Sequence, residues 1–498
     1  MSKRVYLSVV AAAVAATFSG QAGAAFSVIN GAGASAVSNS LTNILLGTYC
    51  AAGATNVTYY DNDTNNAAKG SVYRIQCNRS TTTVTTFANN PDISYDTSGG
   101  SWKGLTSFSP ALFTAAQTGT GSTFPVATVT IGAAPCATAV TKNLTIENVV
   151  YTVSYVGSCA TTALTAAPQF GLTDVDAQLF NDPENQPLQT NTWNTAPVAL
   201  VSSFTQGTEL AGWPVSVFGM TFGVAASGAL YTAMQNDQIA AGLIPATCAG
   251  LIETSSANTG CAPNIGRAQY RSIITNTVNS LNTNIATLFT TKVPGVGGVA
   301  GNTNITVARR DRGSGTQATS NAFFLGAGCT TAATEPQDLA AALPLDSFAP
   351  GYTVQYNFTT GGVKSALQST STNVIGVISA DNEGGFSPGG FLRLDGVYPS
   401  NVNAANGKYD LWTQEQLHCQ SGITGDALTF CGDLAGKNST TVSAKAYVGP
   451  GTINLTAATV YPVTQVASGP TAGGVASSWF HQENALGVVN FCGGRYSR

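Results

Sequence analysis

Ile305-Thr306-Val307-Ala308 is a short, β-branched apolar run that leads into Arg309-Arg310-Asp311-Arg312-Gly313-Ser314-Gly315-Thr316. After it, Ala318, Ala322 and Leu325 recur on one helical face, and Gly326 follows. The pattern predicts a strand, a glycine-rich turn and a helix that opens on a hydroxyl-bearing residue. It occurs again near the start of the chain. There Phe26 to Ile29 reads as the strand and Asn30-Gly31-Ala32-Gly33-Ala34-Ser35 as the turn. Val37, Leu41, Ile44 and Leu45 form the helix face, with Ser35 as N-cap and Gly47 as the stop. Two such units predict an α/β fold in which helix N-termini gather at strand ends.

Composition narrows what this fold can serve. The chain has 498 residues, 43% of them hydrophobic and only 9% charged, against about a quarter charged in an average soluble domain. Disordered chains combine low hydrophobicity with high charge, so the low charge does not signal disorder. The length accommodates about two or three domains. Lys and Arg number 20 against 24 Asp and Glu, a net charge of −4. Without a basic excess, electrostatic capture of nucleic acid or of an anionic membrane is not expected. Beyond the N-terminus no stretch has the roughly 18 uninterrupted apolar residues of a membrane span.

Residues 1–24 read as a signal peptide. Lys3 and Arg4 precede an apolar run from Val5 to Phe18, and Ala22-Gly23-Ala24 supplies small residues at a cleavage position. Export to a periplasmic or extracellular location then governs the ten cysteines, because an even count in an oxidising compartment favours disulfides. Sequence neighbours suggest Cys50–Cys77, Cys136–Cys159, Cys248–Cys261 and Cys419–Cys431, which leaves Cys329 with Cys492. A zinc site would need close pairs, and no C-x-x-C occurs; His418 beside Cys419 is the one near approach. Polar Thr/Asn/Ser/Gly stretches at 52–70, 78–92, 114–145 and 253–264 read as loops or hairpin insertions, and Thr440–Val448 and Thr459–Val466 as strands.

The candidate chemistry is anion binding. Backbone N–H groups at a helix start, aided by the helix dipole, converge on negative charge. Such starts occur at Ser35 and at Ser314-Gly315-Thr316, and a planar arginine fork precedes the second at Arg309 and Arg310. A third small-residue turn, Asp96-Thr97-Ser98-Gly99-Gly100-Ser101, follows the strand-like Ile93-Ser94-Tyr95. Read singly, each is a tight turn or a helix cap; together they specify an oxyanion cradle.

In chain order these segments resemble the phosphate-binding periplasmic proteins of ABC transporters, a subset of the type II, two-lobed solute-binding proteins. The resemblance rests on Gly31 to Ser35, on Tyr95 to Leu105, on Phe170-Gly171-Leu172-Thr173-Asp174, and on Arg309 to Thr316. Looser likenesses run from Trp213 to Val224, where the family's chain crosses between lobes, and from Gly361-Gly362 to Gly376-Val377, where it returns. It implies a two-lobed α/β fold with β-rich, disulfide-trimmed insertions. Lobe 1 is residues 25–208 and 378–498 with an insertion at about 106–168, and lobe 2 is 209–377, with hinges near 205–212 and 372–380. It further implies that Ser35, then Thr97 or Ser98, then Ser314, Gly315 and Thr316 donate to phosphate, that Arg310 is the cation, and that Asp174 accepts the ligand's proton. Arg309 is expected to point outward.

No cofactor or metal is implied. The expected partners are inorganic phosphate or a similar oxyanion and the permease of an ABC transporter, with the protein acting as a monomer and not as an enzyme. The sequence departs from the family in three ways. Arg312 stands where the family has an acid and Asp311 precedes it; Ala36 replaces an aromatic; and the insertion brings Gly157-Ser158 as a rival second-loop donor. Two other classes share these features: an extracellular phosphatase-like enzyme, and a structural or matrix protein that reuses the phosphate-binding fold. The first is poorly supplied with metal ligands, with histidines only at 418 and 481.

Overall fold

In the computed structural model both strand–turn–helix units form. The structure describes residues 25–64, 70–81, 87–106, 126–131, 136–147, 149–166, 168–175, 179–180, 185, 215–257, 259–274, 305–325, 352–357, 359–438 and 451–453. The signal peptide, the hinge at 205–212, Gly326, His481, the Cys329–Cys492 pairing and the strand readings at 440–448 and 459–466 lie outside these residues.

Among the described residues the first part of the chain supplies nine strands: β1 (Phe26–Gly33), β2 (Val57–Asp61), β3 (Val72–Cys77), β4 (Asn90–Asp96), β5 (Ala127–Val129), β6 (Val140–Ile146), β7 (Val149–Val156), β8 (Thr161–Ala163) and β9 (Phe170–Thr173). The long β10 (Val215–Ala226) and the short β11 (Asn264–Ile265) follow. The second unit brings β12 (Ile305–Arg310), β13 (Tyr352–Asn357) and β14 (Asn373–Ser379). Then come β15 (Gly390–Phe391), β16 (Arg393–Leu394), β17 (Trp412–Cys419) and β18 (Thr452–Ile453). The helices around the site are α1 (Ser38–Ile44), α2 (Gly100–Thr106), α3 (Gly228–Ala240), α4 (Arg267–Ile274), α5 (Gly315–Ser320) and α6 (Thr360–Leu367).

Strand order divides the molecule into two halves. In one, β4, β1 and β9 run parallel and β17 closes on β9 antiparallel, giving the order β4-β1-β9-β17. In the other, β13, β12 and β14 run parallel and β10 closes on β14 antiparallel, giving β13-β12-β14-β10. The repeated order, with the unit's first strand in the middle, makes this a two-lobed α/β architecture. β10 belongs to both lobes. Val215 to Thr221 pair with β17, and Phe222 to Ala226 pair with β14. Eleven of its twelve residues are buried, the continuous apolar pattern of a strand covered on both faces. The crossing expected over Trp213 to Val224 thus falls on β10.

The return crossing differs from the expected hinge at 372–380. Residues 373–379 form β14 in the interior of the second lobe, and β15 still pairs with β10 there. The chain re-enters the first lobe only at β17, where Phe222 N–H donates to Leu411 O. The sequence marker Gly376 is a packing feature of β14 instead: a Cβ there would meet Ala308 O at 2.3 Å.

The insertion at about 106–168 is β-rich as expected, holding β5 to β8, and its β6–β7 hairpin extends the first lobe's sheet beyond β2. Ahead of it in the chain, β2 and β3 form a hairpin on β4. Cys50–Cys77, Cys136–Cys159, Cys248–Cys261 and Cys419–Cys431 are disulfides, and the described residues contain no free cysteine. Stacked aromatics, Tyr59 on Tyr73 and on Tyr155 and Tyr95 on Phe170, run across this lobe. No helix among the described residues is long and apolar enough to cross a membrane.

Candidate oxyanion site between the lobes

Arg310 is the last residue of β12, so its side chain leaves the strand where the parallel strands end and the turn begins. It is 3% exposed. Its Nη1 donates to Ser35 Oγ at 2.8 Å and to Thr360 Oγ1 at 2.8 Å, and the two hydroxyls lie 2.9 Å apart. Ser35 comes from the turn after β1 in the first lobe, whereas Thr360 opens α6 in the second. One guanidinium therefore ties the lobes together through neutral hydroxyls. Burial lowers the Arg310 pKa to about 10, offset in part by the Asp174 and Asp311 charges, so it stays a cation at neutral pH.

The structure revises the local reading of Ser35. Helix α1 starts three residues later, with Val37 at the N-cap position and no side-chain cap bond. The Ser35 hydroxyl is thereby released from capping and turned to Arg310. Gly47 does not stop the helix either, which continues as a π-helical turn from Leu45 to Tyr49 before Cys50. In the turn itself Gly33 is required. It sits at φ 136°, and a Cβ would lie 2.0 Å from Leu172 O.

Asp174 follows β9 directly and is 1% exposed. Its N–H donates to Ser101 Oγ at 3.0 Å, and Thr316 Oγ1 reaches its Oδ2 at 3.5 Å. The Thr316 N–H at the start of α5 also favours the ionised carboxylate. A first-lobe carboxylate is thus received by the second lobe's helix start, a working example of an oxyanion on those donors. Burial pushes the Asp174 carboxyl up to about 6, while Glu415, Arg310, Ser101 and Thr316 pull it back. Gly315 is what lets the lobes approach, because a Cβ there would meet Ser101 Oγ at 2.3 Å and Asp174 Cβ at 2.5 Å. Next to it, Trp102 N–H donates to Gly313 O at 2.9 Å across the same junction.

Of the residues expected at the site, Ser35, Asp174, Arg310, Ser314, Gly315 and Thr316 converge here. Thr97 and Ser98 do not. Thr97 Oγ1 donates to Ser71 O at 2.9 Å. Ser98 Oγ lies between Lys103 Nζ at 2.7 Å and Asp96 Oδ1 at 2.6 Å, inside a buried Lys103–Asp96 ion pair. That pair pins the turn, and the hydroxyl it presents to Asp174 is Ser101, at the start of α2. The rival Ser158 is held in the insertion, its N–H donating to Asp63 O. Arg309 does not point outward: it is 6% exposed on the opposite face of β12, where its Nη2 reaches Asn321 Oδ1 at 3.4 Å and its guanidinium lies 5.9 Å from the Tyr356 ring.

Asp311, which precedes Arg312 in the altered order, is held by its neighbour's backbone. The Asp311 carboxylate accepts from Arg312 N–H at 2.9 Å, and both Arg310 and Arg312 favour its charge against a burial that raises its pKa. Thr360 and Asp381 are among the junction residues that the sequence reading does not single out. Thr360 belongs to a third strand–turn–helix, β13 into Thr359-Thr360-Gly361-Gly362, whose N-cap Thr359 accepts from Gly362 N–H at 3.2 Å. Asp381, just after β14, accepts from Asn39 Nδ2 of α1 at 2.8 Å and adds a second link between the lobes. His418 is fully buried, its Nε2 at 3.3 Å from Thr173 Oγ1, while Cys419 is in a disulfide. No group of three or more His, Cys, Asp or Glu among the described residues could hold a metal ion.

No protein-family model and no curated protein matches the sequence. Three solved structures that align with the fold are phosphate-transport proteins. A phosphate ABC transporter substrate-binding protein with bound phosphate, from Clostridium perfringens, aligns over 85% of this chain and 99% of its own, at 10% identity and a TM-score of 0.36. PstS from Borrelia burgdorferi aligns over 82% and 93%, at 11% identity and 0.31. An ABC-type phosphate transport receptor from Vibrio cholerae aligns over 53% and 72%, at 14% identity and 0.27. At these scores the likeness carries no weight for function, and the two-lobed architecture stands on the strand order alone.

Proposed function

We propose that this protein is an exported solute-binding protein that captures inorganic phosphate, or a similar protonated oxyanion, between its two lobes for an ABC-type uptake system. The observation that carries the reading is the buried junction itself. A cation, Arg310, and a carboxylate, Asp174, come from opposite lobes and converge with the hydroxyls of Ser35, Ser101, Thr316 and Thr360. The cation and the N–H groups at the start of α5 supply donors for an anion. The carboxylate accepts only, so it selects an oxyanion that still carries O–H and repels one that carries none. Hydrogen phosphate and arsenate carry that proton at neutral pH, and sulfate does not. Enclosure between lobes removes the anion from water and strengthens each bond to it.

Four disulfides suit the oxidising exterior that the N-terminal sequence implies. The phosphatase-like and matrix alternatives make different use of the fold, and one experiment separates all three. Titration calorimetry with phosphate, arsenate and sulfate should show one site for the first two and weak or no heat with sulfate. Absence of phosphate binding overturns the proposal, and turnover of an aryl phosphate would move it to the enzyme class.

A further inference from the structure

The acceptor of the proposed site has a second carboxyl behind it. In the β9–β17 register Thr173 faces Gln416 and Leu172 faces Leu417, so the next pair sets Glu415 opposite Asp174. Glu415 is 0% exposed, on a strand covered by β9 on one side and by the β10 irregularity between Ser216 and Gly219 on the other. Neither Glu415 oxygen, nor Asp174 Oδ1, receives a hydrogen bond from an N–H or hydroxyl group. What each faces is the other carboxyl. Two carboxylates buried in contact cannot both be ionised, and one proton between them converts repulsion into an O–H···O⁻ hydrogen bond.

The surroundings decide where the proton sits. Donors from Ser101 and Thr316, and the charge of Arg310, all act on Asp174. Glu415 has none of them, and burial together with the negative charge of Asp174 holds its carboxyl well above the usual range. The other ionisable groups facing the pair are Asp381 after β14, with Lys364 of α6 acting on it, Tyr95 of β4, and Asp311 beside Arg310. His418 lies on the same strand as Glu415, against Thr173.

We propose that Glu415 is a positioning residue that sets ligand selectivity: its carboxyl O–H donates to Asp174, holding one oxygen of that carboxylate and keeping the other as a fixed acceptor toward the ligand. For its ligand this inference rests on the phosphate reading above, but the shared proton does not depend on it. The pair then carries a single negative charge. At alkaline pH, loss of the Glu415 proton places a second negative charge behind the anion and weakens its binding. If the Glu415 donor is removed, Asp174 loses a stabilising partner, takes up a proton itself near neutral pH and stops discriminating against sulfate.

Two variants of the full mature chain test this. Glu415→Gln keeps the shape and an N–H donor toward Asp174 but cannot ionise, and Glu415→Leu keeps neither. Infrared spectra of ligand-free protein at about pH 8 should show a buried protonated-carboxyl C=O band that is absent in Glu415→Gln. Phosphate titrations across pH should find Glu415→Gln within about threefold of wild type near neutrality, with the alkaline loss of affinity removed. Glu415→Leu should lower the phosphate-to-sulfate affinity ratio by about tenfold, the equivalent of one pKa unit. A wild-type spectrum without the band, or a band that survives in Glu415→Gln, overturns the proposal. So does an unchanged alkaline limb in Glu415→Gln, a readout that remains if Glu415→Leu does not fold. A band that behaves as expected in a protein that binds no phosphate leaves the carboxyl pair in place and refutes the phosphate reading alone.

Discussion

The two lobes repeat one strand order but contribute unlike chemistry. The first lobe, around β4-β1-β9-β17, brings the acceptor Asp174, its companion Glu415 and the hydroxyls of Ser35 and Ser101. The second, around β13-β12-β14-β10, brings the cation Arg310, the start of α5 and Thr360. Arg310 and Asp174, the cation and the acceptor of the proposed site, thus come from different lobes. Among the described residues the first lobe is also the more heavily reinforced, with three disulfides and the added β2–β3 and β6–β7 hairpins, against the Cys248–Cys261 bridge in the second. The difference teaches that the strand frame is shared while the site belongs to the junction, so perturbing the junction should affect binding and perturbing the periphery should affect stability.

The sharpest contrast lies within β12. Arg310→Ala should weaken phosphate binding by about 2–5 kcal/mol, the penalty for removing one partner of a buried charge pair. Arg309→Ala, on the other face of the same strand against Asn321 and Tyr356, should change affinity by less than about 0.5 kcal/mol. Calorimetry on both proteins checks this, and equal losses would place the cradle on the wrong face.

Reinforcement should separate from binding. Replacing Cys50 and Cys77 together by Ser should cost about 2–4 kcal/mol of unfolding free energy and leave phosphate affinity nearly unchanged. The Cys248–Cys261 loop spans 13 residues against 27, so its loss should cost about 0.6 kcal/mol less on loop-closure grounds. Denaturant titrations give the first number and calorimetry the second. Within the junction, Thr360→Val should weaken phosphate binding by about 1.5–3 kcal/mol, the worth of a hydrogen bond to a charged group. Its unfolding midpoint in the absence of ligand should fall as well, because buried Arg310 loses one of its hydroxyl acceptors.

The strand frame and most junction residues are legible in the sequence, because each follows from a local pattern. Gly31 to Ser35 and Arg309 to Thr316 carry their own turn chemistry, and the four described disulfides join sequence neighbours. What the sequence does not show is of two kinds. Spacing along the turn points to Thr97 and Ser98, and does not reveal that the Lys103–Asp96 pair claims the Ser98 hydroxyl and leaves Ser101 toward Asp174. Thr360, Asp381 and Glu415 reach the site only through pairing of strands distant in the chain, and no local pattern announces that register. The return at β17 is hidden for the same reason, since Gly376 marks a close approach to Ala308 within β14.

Carboxyls in both the junction and the periphery are pushed up by burial, and their effect on stability has a definite sign. Asp174 and Asp381 at the junction rise to about 6, as does Asp61 in the hairpin region, and Glu147 at the β6–β7 turn rises to about 7. In each, the folded protein holds the proton more tightly than the unfolded chain. Their stabilisation is therefore complete below the unfolded value, near pH 4, and is lost as pH rises through about 6 to 7. The ligand-free protein should unfold at a lower temperature at about pH 7.5 than at about pH 5. Glu147→Gln should flatten that slope without affecting phosphate binding, since Glu147 sits at the β6–β7 turn and accepts from Ser40 and Asn43 of α1, away from the junction residues. Thermal melts across pH with both proteins test it, and a slope of opposite sign contradicts these assignments.

The central claim is that Asp174, opposite Arg310, selects a protonated oxyanion, and competition between phosphate and sulfate tests it most directly. Asp174→Asn keeps the shape, removes the negative charge and supplies an N–H donor, so the element that repels sulfate is gone. In wild type at neutral pH, phosphate and arsenate should bind and sulfate should compete poorly. In Asp174→Asn, sulfate affinity should rise relative to phosphate. Equal affinity for the two anions in wild type, or a ratio that the substitution leaves unchanged, would contradict the account.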